Sequence, residues 1–320
     1  MLPRINMSEL LTTRGQKRLC EALCGDGVAL LTLEHAADAV QACYDSCRAF
    51  FELPLQAKAR HGAGNGTGQQ HGWMSMLDDD ERAECFEAKL CYDRGYAWPS
   101  AALQSSIVAA FTPLHEAARA CLNALCVALG MDVGVVHSYL DAAQPRLADC
   151  SHTAMRVWSY TGAPGGASGR CGVHVDNSLL TLAPAGSAVG LVVRHRCGGS
   201  GGGGEALSRP ELQMRRGDVL VFAGDALGFL SAGRVRAPMH EVRCASDAAG
   251  PPRLSMPFFL RPRSGAVLDP AAASPGAPRA SELRPLRTAD LEANADGVRS
   301  RWPWKADEYY RGATWYKPGK

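Results

Sequence analysis

The spacing of apolar residues changes once along the chain, near residue 150. Upstream of it, apolar positions mostly recur at three- and four-residue intervals, the period of an amphipathic helix. Residues 15–24 read as helix and stop at Gly25-Asp26-Gly27. Residues 35–51 place Ala36, Val40, Cys43, Cys47, Phe50 and Phe51 on one face and end at Leu53-Pro54, where the proline disfavours helix in the residue before it. A long helix is predicted over 103–129, closed by Gly130. Around these lie an extended segment at 2–7, a buried strand at 28–33 and a loop at 60–75 rich in glycine, glutamine and histidine. Downstream, short apolar segments at 154–160, 172–176, 178–183, 189–194, 218–222, 239–244 and 254–260 alternate with turn residues. Many short strands without intervening helices predict a sandwich or barrel. Helix returns over 288–301, followed by a tail holding Trp302, Trp304, Tyr309, Tyr310, Trp315 and Tyr316.

Composition narrows the classes. At 320 residues the chain is long enough to bury a large core, and 46% hydrophobic with 21% charged residues is ordinary for a globular protein. A net charge of +2 argues against a nucleic-acid footprint or a membrane-surface patch. No apolar run is long enough to span a bilayer, and Met1-Leu-Pro-Arg-Ile-Asn lacks the start of a secretory signal, so the expectation is a soluble, cytoplasmic monomer. Twelve cysteines suggest a disulfide framework until their positions are considered. Cys20/Cys24, Cys43/Cys47 and Cys121/Cys126 fall within helical patterns, where a free thiol packs as a small apolar group, and no Cys-x-x-Cys pair points to zinc. Reduced thiols are expected. The glycine-rich stretch 197–210 is followed by no Lys-Ser/Thr, so it reads as a flexible loop between strands and not as a phosphate cradle.

Gly172-Val-His174-Val-Asp176 carries the candidate chemistry. On a strand, residues two apart share a face, so the imidazole of His174 and the carboxylate of Asp176 converge on one point. A second histidine would complete a facial triad that leaves three positions of an octahedral iron(II) open. His240, at the head of a later apolar strand, is the best partner. A His-x-Asp pair alone is a weak signal, since such pairs arise often by chance.

The surrounding sequence resembles the iron(II)/2-oxoglutarate-dependent dioxygenases, in particular the isopenicillin N synthase-like branch. Five segments carry the resemblance in order: Phe50-Phe-Glu-Leu-Pro-Leu-Gln-Ala-Lys58; His174-Val-Asp-Asn-Ser-Leu-Leu-Thr-Leu182; Gly217-Asp-Val-Leu-Val-Phe-Ala-Gly-Asp225, with Leu230-Ser-Ala-Gly-Arg234 after it; His240-Glu-Val; and Arg253-Leu-Ser255 with Met256-Pro-Phe-Phe-Leu260. The resemblance implies a mainly β fold with flanking helices, a double-stranded β-helix (a cupin-like jelly roll). It also implies one integrated catalytic unit: a helix-rich region at 1–150 whose early strands join the core, a β-helix core at 151–265, and a C-terminal helix and aromatic tail at 266–320. Iron(II) would be held by His174, Asp176 and His240. The cosubstrate 2-oxoglutarate would be held by Arg253, Ser255 and Tyr160, with dioxygen as co-reactant and ascorbate as a stimulant. Arginine suits a buried carboxylate because its planar fork binds bidentately and keeps its charge. The branch often has an asparagine two residues before that tyrosine; here Trp158 stands there, suggesting an aromatic wall.

The implied activity is oxidation of an unactivated C–H bond of a small specialised metabolite, by hydroxylation, desaturation or ring closure, coupled to conversion of 2-oxoglutarate to succinate and CO2. Arg156, Trp158, Arg194, Arg234 and Arg236 are candidate substrate contacts, and an inward arginine would favour a carboxylate-bearing substrate. Two other readings share many of these residues: an oxidase of the isopenicillin N synthase or aminocyclopropane-carboxylate oxidase type that does not use 2-oxoglutarate, and a non-catalytic β-helix that only binds a ligand. A zinc hydrolase would leave Arg253 and Ser255 without a role.

Overall fold

Short strands with one apolar face cannot bury that face alone, and the chain pairs them into two facing sheets. The computed structural model describes residues 2–62, 72–76, 83–89, 96–141, 152–160, 171–194, 214–242, 250–293, 298–299, 302–306 and 310. Its elements in chain order are β1 (Arg4–Asn6), α1 (Thr13–Gly25), β2 (Val28–Thr32), α2 (Ala37–Phe51), α3 (Leu55–Ala59), β3 (Gly72–Met76), β4 (Ala83–Lys89), α4 (Ala101–Leu129) and α5 (Val133–Ser138). There follow β5 (Ala154–Tyr160), β6 (Cys171–His174), β7 (Leu180–Pro184), β8 (Leu191–Val193), β9 (Asp218–Ala223), α6 (Asp225–Leu230), β10 (His240–Val242), β11 (Arg253–Ser255) and β12 (Phe258–Leu260). The chain closes with β13 (Val267–Leu268), α7 (Pro270–Ala273), β14 (Leu286–Arg287) and α8 (Thr288–Glu292).

The larger sheet runs β1-β2-β9-β7-β12-β5-β4-β3, with β11 also paired to β5; the smaller is β6-β10-β8. Every pairing within them is antiparallel except β1 with β2. The inner faces meet. Leu191 and Val193 of β8 pack against Val28, Leu30, Leu220 and Phe222, while Val242 and Cys171 of the smaller sheet pack near Ala83, Trp158 and Tyr160. This is the double-stranded β-helix expected from the sequence.

The outer face of the larger sheet is apolar because alternate residues of its strands are: Leu31, Phe86, Met155, Val157, Leu180, Leu182, Val219, Val221 and Phe258 join one core with the helices. α4 seals it. Ser100 caps its start by accepting from the Leu103 N–H at 3.1 Å, and Gly130 ends it at φ 63°, a conformation that favours glycine. Leu103, Ile107, Phe111, Leu114, Ala118, Leu122 and Leu125 form its buried stripe. Each large residue so buried contributes about 1.5–3 kcal/mol. Phe111 meets Phe258 edge-on at 5.0 Å, tying the helix to the middle of the sheet.

The segment ending at Lys58 has a structural role. The buried Lys58 ammonium donates to Glu84 Oε2 (2.7 Å) and to the Phe51 carbonyl (2.9 Å), and the Trp73 indole N–H donates to the same Glu84 oxygen (2.7 Å). A buried carboxylate thus meets a cation and a donor on the outer side of β4, which joins α3 to β3 and β4.

Several expectations change. The loop predicted at 60–75 contains the start of β3, whose alternation is masked by glycine and methionine, and β4 was not foreseen because its charged residues point into the protein. The single strand at 254–260 is two strands broken at Met256-Pro257, since proline brings no N–H to a ladder. The helix at 288–301 ends at Glu292, and a 3-10 turn at Pro303–Ala306 follows separately. All eight described cysteines are free thiols. The glycine-rich 197–210 stretch, His71, Tyr309, Trp315 and Tyr316 lie outside the described residues. Among the described residues no helix is long and apolar enough to cross a membrane.

Candidate active site and metal centre

His174 ends β6, His240 begins β10, and the two are register partners across an antiparallel pair. Asp176 follows two residues after His174, just past the end of β6, and its carboxylate lies beside both rings. The three ligand atoms lie within 4.8 Å of one another: His174 Nε2 is 3.6 Å and His240 Nε2 3.7 Å from Asp176 Oδ1. Ligand atoms about 2.0–2.2 Å from a metal and at right angles would be about 3 Å apart, so a small inward movement closes the set.

The atoms that do not face this point are all engaged. The Nδ1–H of His174 donates to the Gly172 carbonyl (2.7 Å), and His240 Nδ1 faces the Pro238 carbonyl at 3.3 Å. Both contacts select the tautomer whose Nε2 lone pair is free for a metal. Thr181 donates to Asp176 Oδ2 at 2.6 Å and meets Ser178 at 2.9 Å, leaving Oδ1 for the metal. Phe222 lies against His240 with ring centroids 4.9 Å apart. Burial, and then the neighbouring His174 charge, lower His240 to about 4, so it stands as a neutral ring. At His174 burial works against the charge, yet Cys171 and Asp176 outweigh it and hold the ring up at about 9. Burial also opposes the Asp176 charge, but the two histidines and Thr181 keep its carboxyl below the usual value. One neutral ring, one carboxylate and one ring that would exchange its proton for a cation suit a divalent metal.

The backbone beneath the site is fixed. The Asp225 N–H donates to the Asp176 carbonyl at 2.8 Å and the Arg299 guanidinium to the Val175 carbonyl at 3.1 Å. Arg299 and Lys305 both bind the buried Asp225 carboxylate, at 2.7 and 2.6 Å. Gly224 is needed here, because a Cβ on it would sit 2.0 Å from the Ser178 carbonyl oxygen.

A second cluster lies between the sheets. β11 pairs with β5 so that Arg253 faces Tyr160 and Ser255 faces Trp158. The Arg253 guanidinium lies 5.6 Å from the Tyr160 ring centre, and the Tyr160 hydroxyl bonds the Ser255 side chain. Arg253 Nε donates to the Ala188 and Val189 carbonyls at 3.1 and 3.0 Å. Its Nη1 is buried and has no hydrogen-bond partner among the described residues. A buried guanidinium nitrogen left in this way is costly unless an anion completes it. Trp158 stacks on Tyr160, with ring centroids 5.9 Å apart. Cys171 packs beside Tyr160 and lies 3.6 Å from His174 Nδ1, so the two clusters adjoin.

The arginines proposed for substrate separate. Arg156 lies in the interior, bonded to the buried Glu87 at 2.5 Å. Arg234 binds the Leu129 carbonyl, Ser274 and Ser231, on the helical side, and the structure does not bring it to the site. Arg194 follows Val193, whose side chain is inside, so alternation turns it outward; Arg236 is half-buried in the segment before β10. Glu87, Thr181, Phe259 and Arg261 also belong to the interior and were not singled out from the sequence. Thr181 lies in the His174–Leu182 segment and alternates with the buried Leu180 and Leu182, which is its signal in the sequence.

Residues 152–262 match the model of the 2OG-Fe(II) oxygenase superfamily. That segment has the sequence pattern of a 2OG-Fe(II) oxygenase domain. It contains all three residues of the triad, Arg253 and Tyr160. No curated protein matches the chain. Among solved structures, a full-length Neurospora crassa protein in complex with alpha-KG is similar over 91% of this chain and 94% of its own, with a TM-score of 0.72 at 18% identity. A putative 2OG-Fe(II) oxygenase family protein from Caulobacter crescentus is similar over 93% and 98%, with a TM-score of 0.72 at 20% identity. JOX2 in complex with 2OG, Fe and JA is similar over 90% and 83%, with a TM-score of 0.70 at 19% identity. At such identities these likenesses establish the fold. The superfamily is supported, and its isopenicillin N synthase-like branch is not distinguished from others.

Proposed function

We propose that the oxygenase domain couples oxidation of a C–H bond in a small organic molecule to conversion of 2-oxoglutarate to succinate and CO2. The observation that carries this reading is the unpaired Nη1 of Arg253, buried beside a three-residue metal set whose other polar atoms are all bonded. His174, Asp176 and His240 would hold iron(II) in the tautomers and orientation already present. Bound there beside 2-oxoglutarate, iron(II) supplies the activation of dioxygen that a protein side chain cannot.

The chain's own residues do the rest. Arg253, anchored through Nε on two carbonyls, presents Nη1 to the far carboxylate of 2-oxoglutarate, and Ser255 with Tyr160 offers hydroxyls beside it. Trp158 and Tyr160 wall the cosubstrate and exclude water. Thr181 keeps the Asp176 carboxylate turned so that one oxygen meets the metal.

Two likened proteins were captured with small molecules, the Neurospora crassa protein with 5-formyluracil or thymine and JOX2 with JA, which supports a small-molecule substrate here. An oxidase without 2-oxoglutarate would set a carboxylate of its own substrate on the same Arg253 nitrogen, so succinate separates the two readings, and a merely binding β-helix has no reason to keep the triad complete. Incubation with iron(II), 2-oxoglutarate and a metabolite library tests the reading. Succinate should appear in proportion to oxidised product, and product formed without succinate would overturn it.

A further inference from the structure

The interior face carries charge that neither iron nor 2-oxoglutarate uses. Glu87 on β4 faces Arg156 on β5 in register, and Lys89 shares the face of Glu87. Phe259 on β12 faces Thr181, the residue that bonds Asp176, so this row adjoins the metal centre. Arg261 follows two residues after Phe259. Its guanidinium lies 4.7 Å from the Phe259 ring centre and that of Arg156 lies 5.6 Å away, so one aromatic ring carries two cations.

Three cations thus stand near one carboxylate. Glu87, wholly buried, binds Arg156 through Oε2, and Lys89 lies 3.4 Å from Oε1. Arg261 makes no hydrogen bond to it: its Nε is buried without a partner among the described residues, and its Nη1 donates to the His152 carbonyl at 3.4 Å. Glu292, the next carboxylate, is taken by His152 at 2.7 Å. Burial, and then the Arg156 charge, pull the Arg261 guanidinium below its ordinary value, as crowding of cations does.

We propose that Arg261, with Arg156 beside it and Phe259 beneath, grips a carboxylate of the organic substrate and holds the rest of that molecule over the metal centre. The proposal rests on the oxygenase reading and names its substrate class as small carboxylic acids. A planar guanidinium laid on an aromatic ring presents a fork that matches a planar carboxylate, and two guanidiniums on one ring favour an anion over a cation.

The test uses the full chain loaded anaerobically with iron(II) and saturating 2-oxoglutarate, titrated calorimetrically with small aliphatic and aromatic monocarboxylic acids, each paired with its primary amide. Saturating cosubstrate keeps the acids from reporting on Arg253. At least one acid should bind about tenfold or more tighter than its amide, as loss of a charge-assisted pair predicts. Arg261→Gln should abolish that preference, Arg261→Lys should restore part of it, and both should leave the 2-oxoglutarate titration in place. Equal binding of acid and amide, an unchanged preference in Arg261→Gln, or no acid binding at all would overturn the proposal. Failure of 2-oxoglutarate itself to bind would instead overturn the cosubstrate reading, and the acid–amide comparison would still be read on the iron-loaded chain.

Discussion

At the scale of single residues, the site is specified as much by the groups behind the ligands as by the ligands. Thr181 fixes the Asp176 carboxylate, and such supporting contacts are worth about 10–100-fold in metal affinity. Thr181→Ala should therefore weaken iron(II) binding by roughly that factor while Thr181→Ser retains it, measured by anaerobic competition with a chelator. Arg253→Gln should cost at least about 2 kcal/mol of 2-oxoglutarate binding, roughly thirtyfold in half-saturation, because a buried charge pair loses one partner. An unchanged half-saturation would remove Arg253 from the cosubstrate site. Glu87 gives a pH dependence. Burial pushes its carboxyl up, but Arg156, Lys89 and Arg261 more than offset this and hold it below its usual 4.5. A depressed folded value means that the charged cluster stabilises the fold above the unfolded carboxyl range and that this stabilisation fades as pH falls through the folded value. The Tm gap between the wild type and Glu87→Gln should thus be widest near neutral pH and narrow on acidification; a gap that widens in acid would contradict the assignment.

At the scale of elements, helices and central strands were largely readable from the sequence and the edges were not. α1, α2 and α4 follow from three- and four-residue apolar spacing, and β5 runs over the residues its alternation indicated. β4 was hidden because Glu84, Glu87 and Lys89 look like solvent-facing residues; inside the protein Glu84 is bound by Lys58 and Trp73, and Glu87 by Arg156. Charge pairing across long sequence separations leaves no local pattern, so the interior cluster was legible only at Arg156. The triad was legible because His174 ends one strand, His240 begins another and Asp176 follows His174 by two residues within a recognisable motif. The clamp of Asp225 with Arg299 and Lys305 is another long-range pairing, joining the C-terminal segment to the loop of Asp176. Asp225→Asn would leave two buried cations short of a counter-charge and should cost about 3–5 kcal/mol, measured by urea unfolding. Because Arg299 also holds the Val175 carbonyl, iron affinity should fall with it.

At the scale of the whole molecule, the two sheets set three groups of side chains between them: the triad where β6 ends and β10 begins, Arg253 and Tyr160 on the paired β11 and β5, and Arg261 with Arg156 along the row beside Thr181. The outer core has no chemistry to perform, and its role is rigidity. Leu114→Ala in α4, wholly buried, should cost about 2–5 kcal/mol of stability without moving iron or 2-oxoglutarate affinity in the folded protein. The central claim is that His174, Asp176 and His240 bind one iron(II), to which 2-oxoglutarate is then added through Arg253. Anaerobic titration of the metal-free chain with iron(II) and then 2-oxoglutarate, followed by the visible absorption of an iron(II)–keto-acid chelate, tests it most directly. One iron per chain, a band that saturates with 2-oxoglutarate, and its loss in His174→Ala and Asp176→Ala are the predicted results. A band that survives in both variants, or none in the wild type, would contradict the claim.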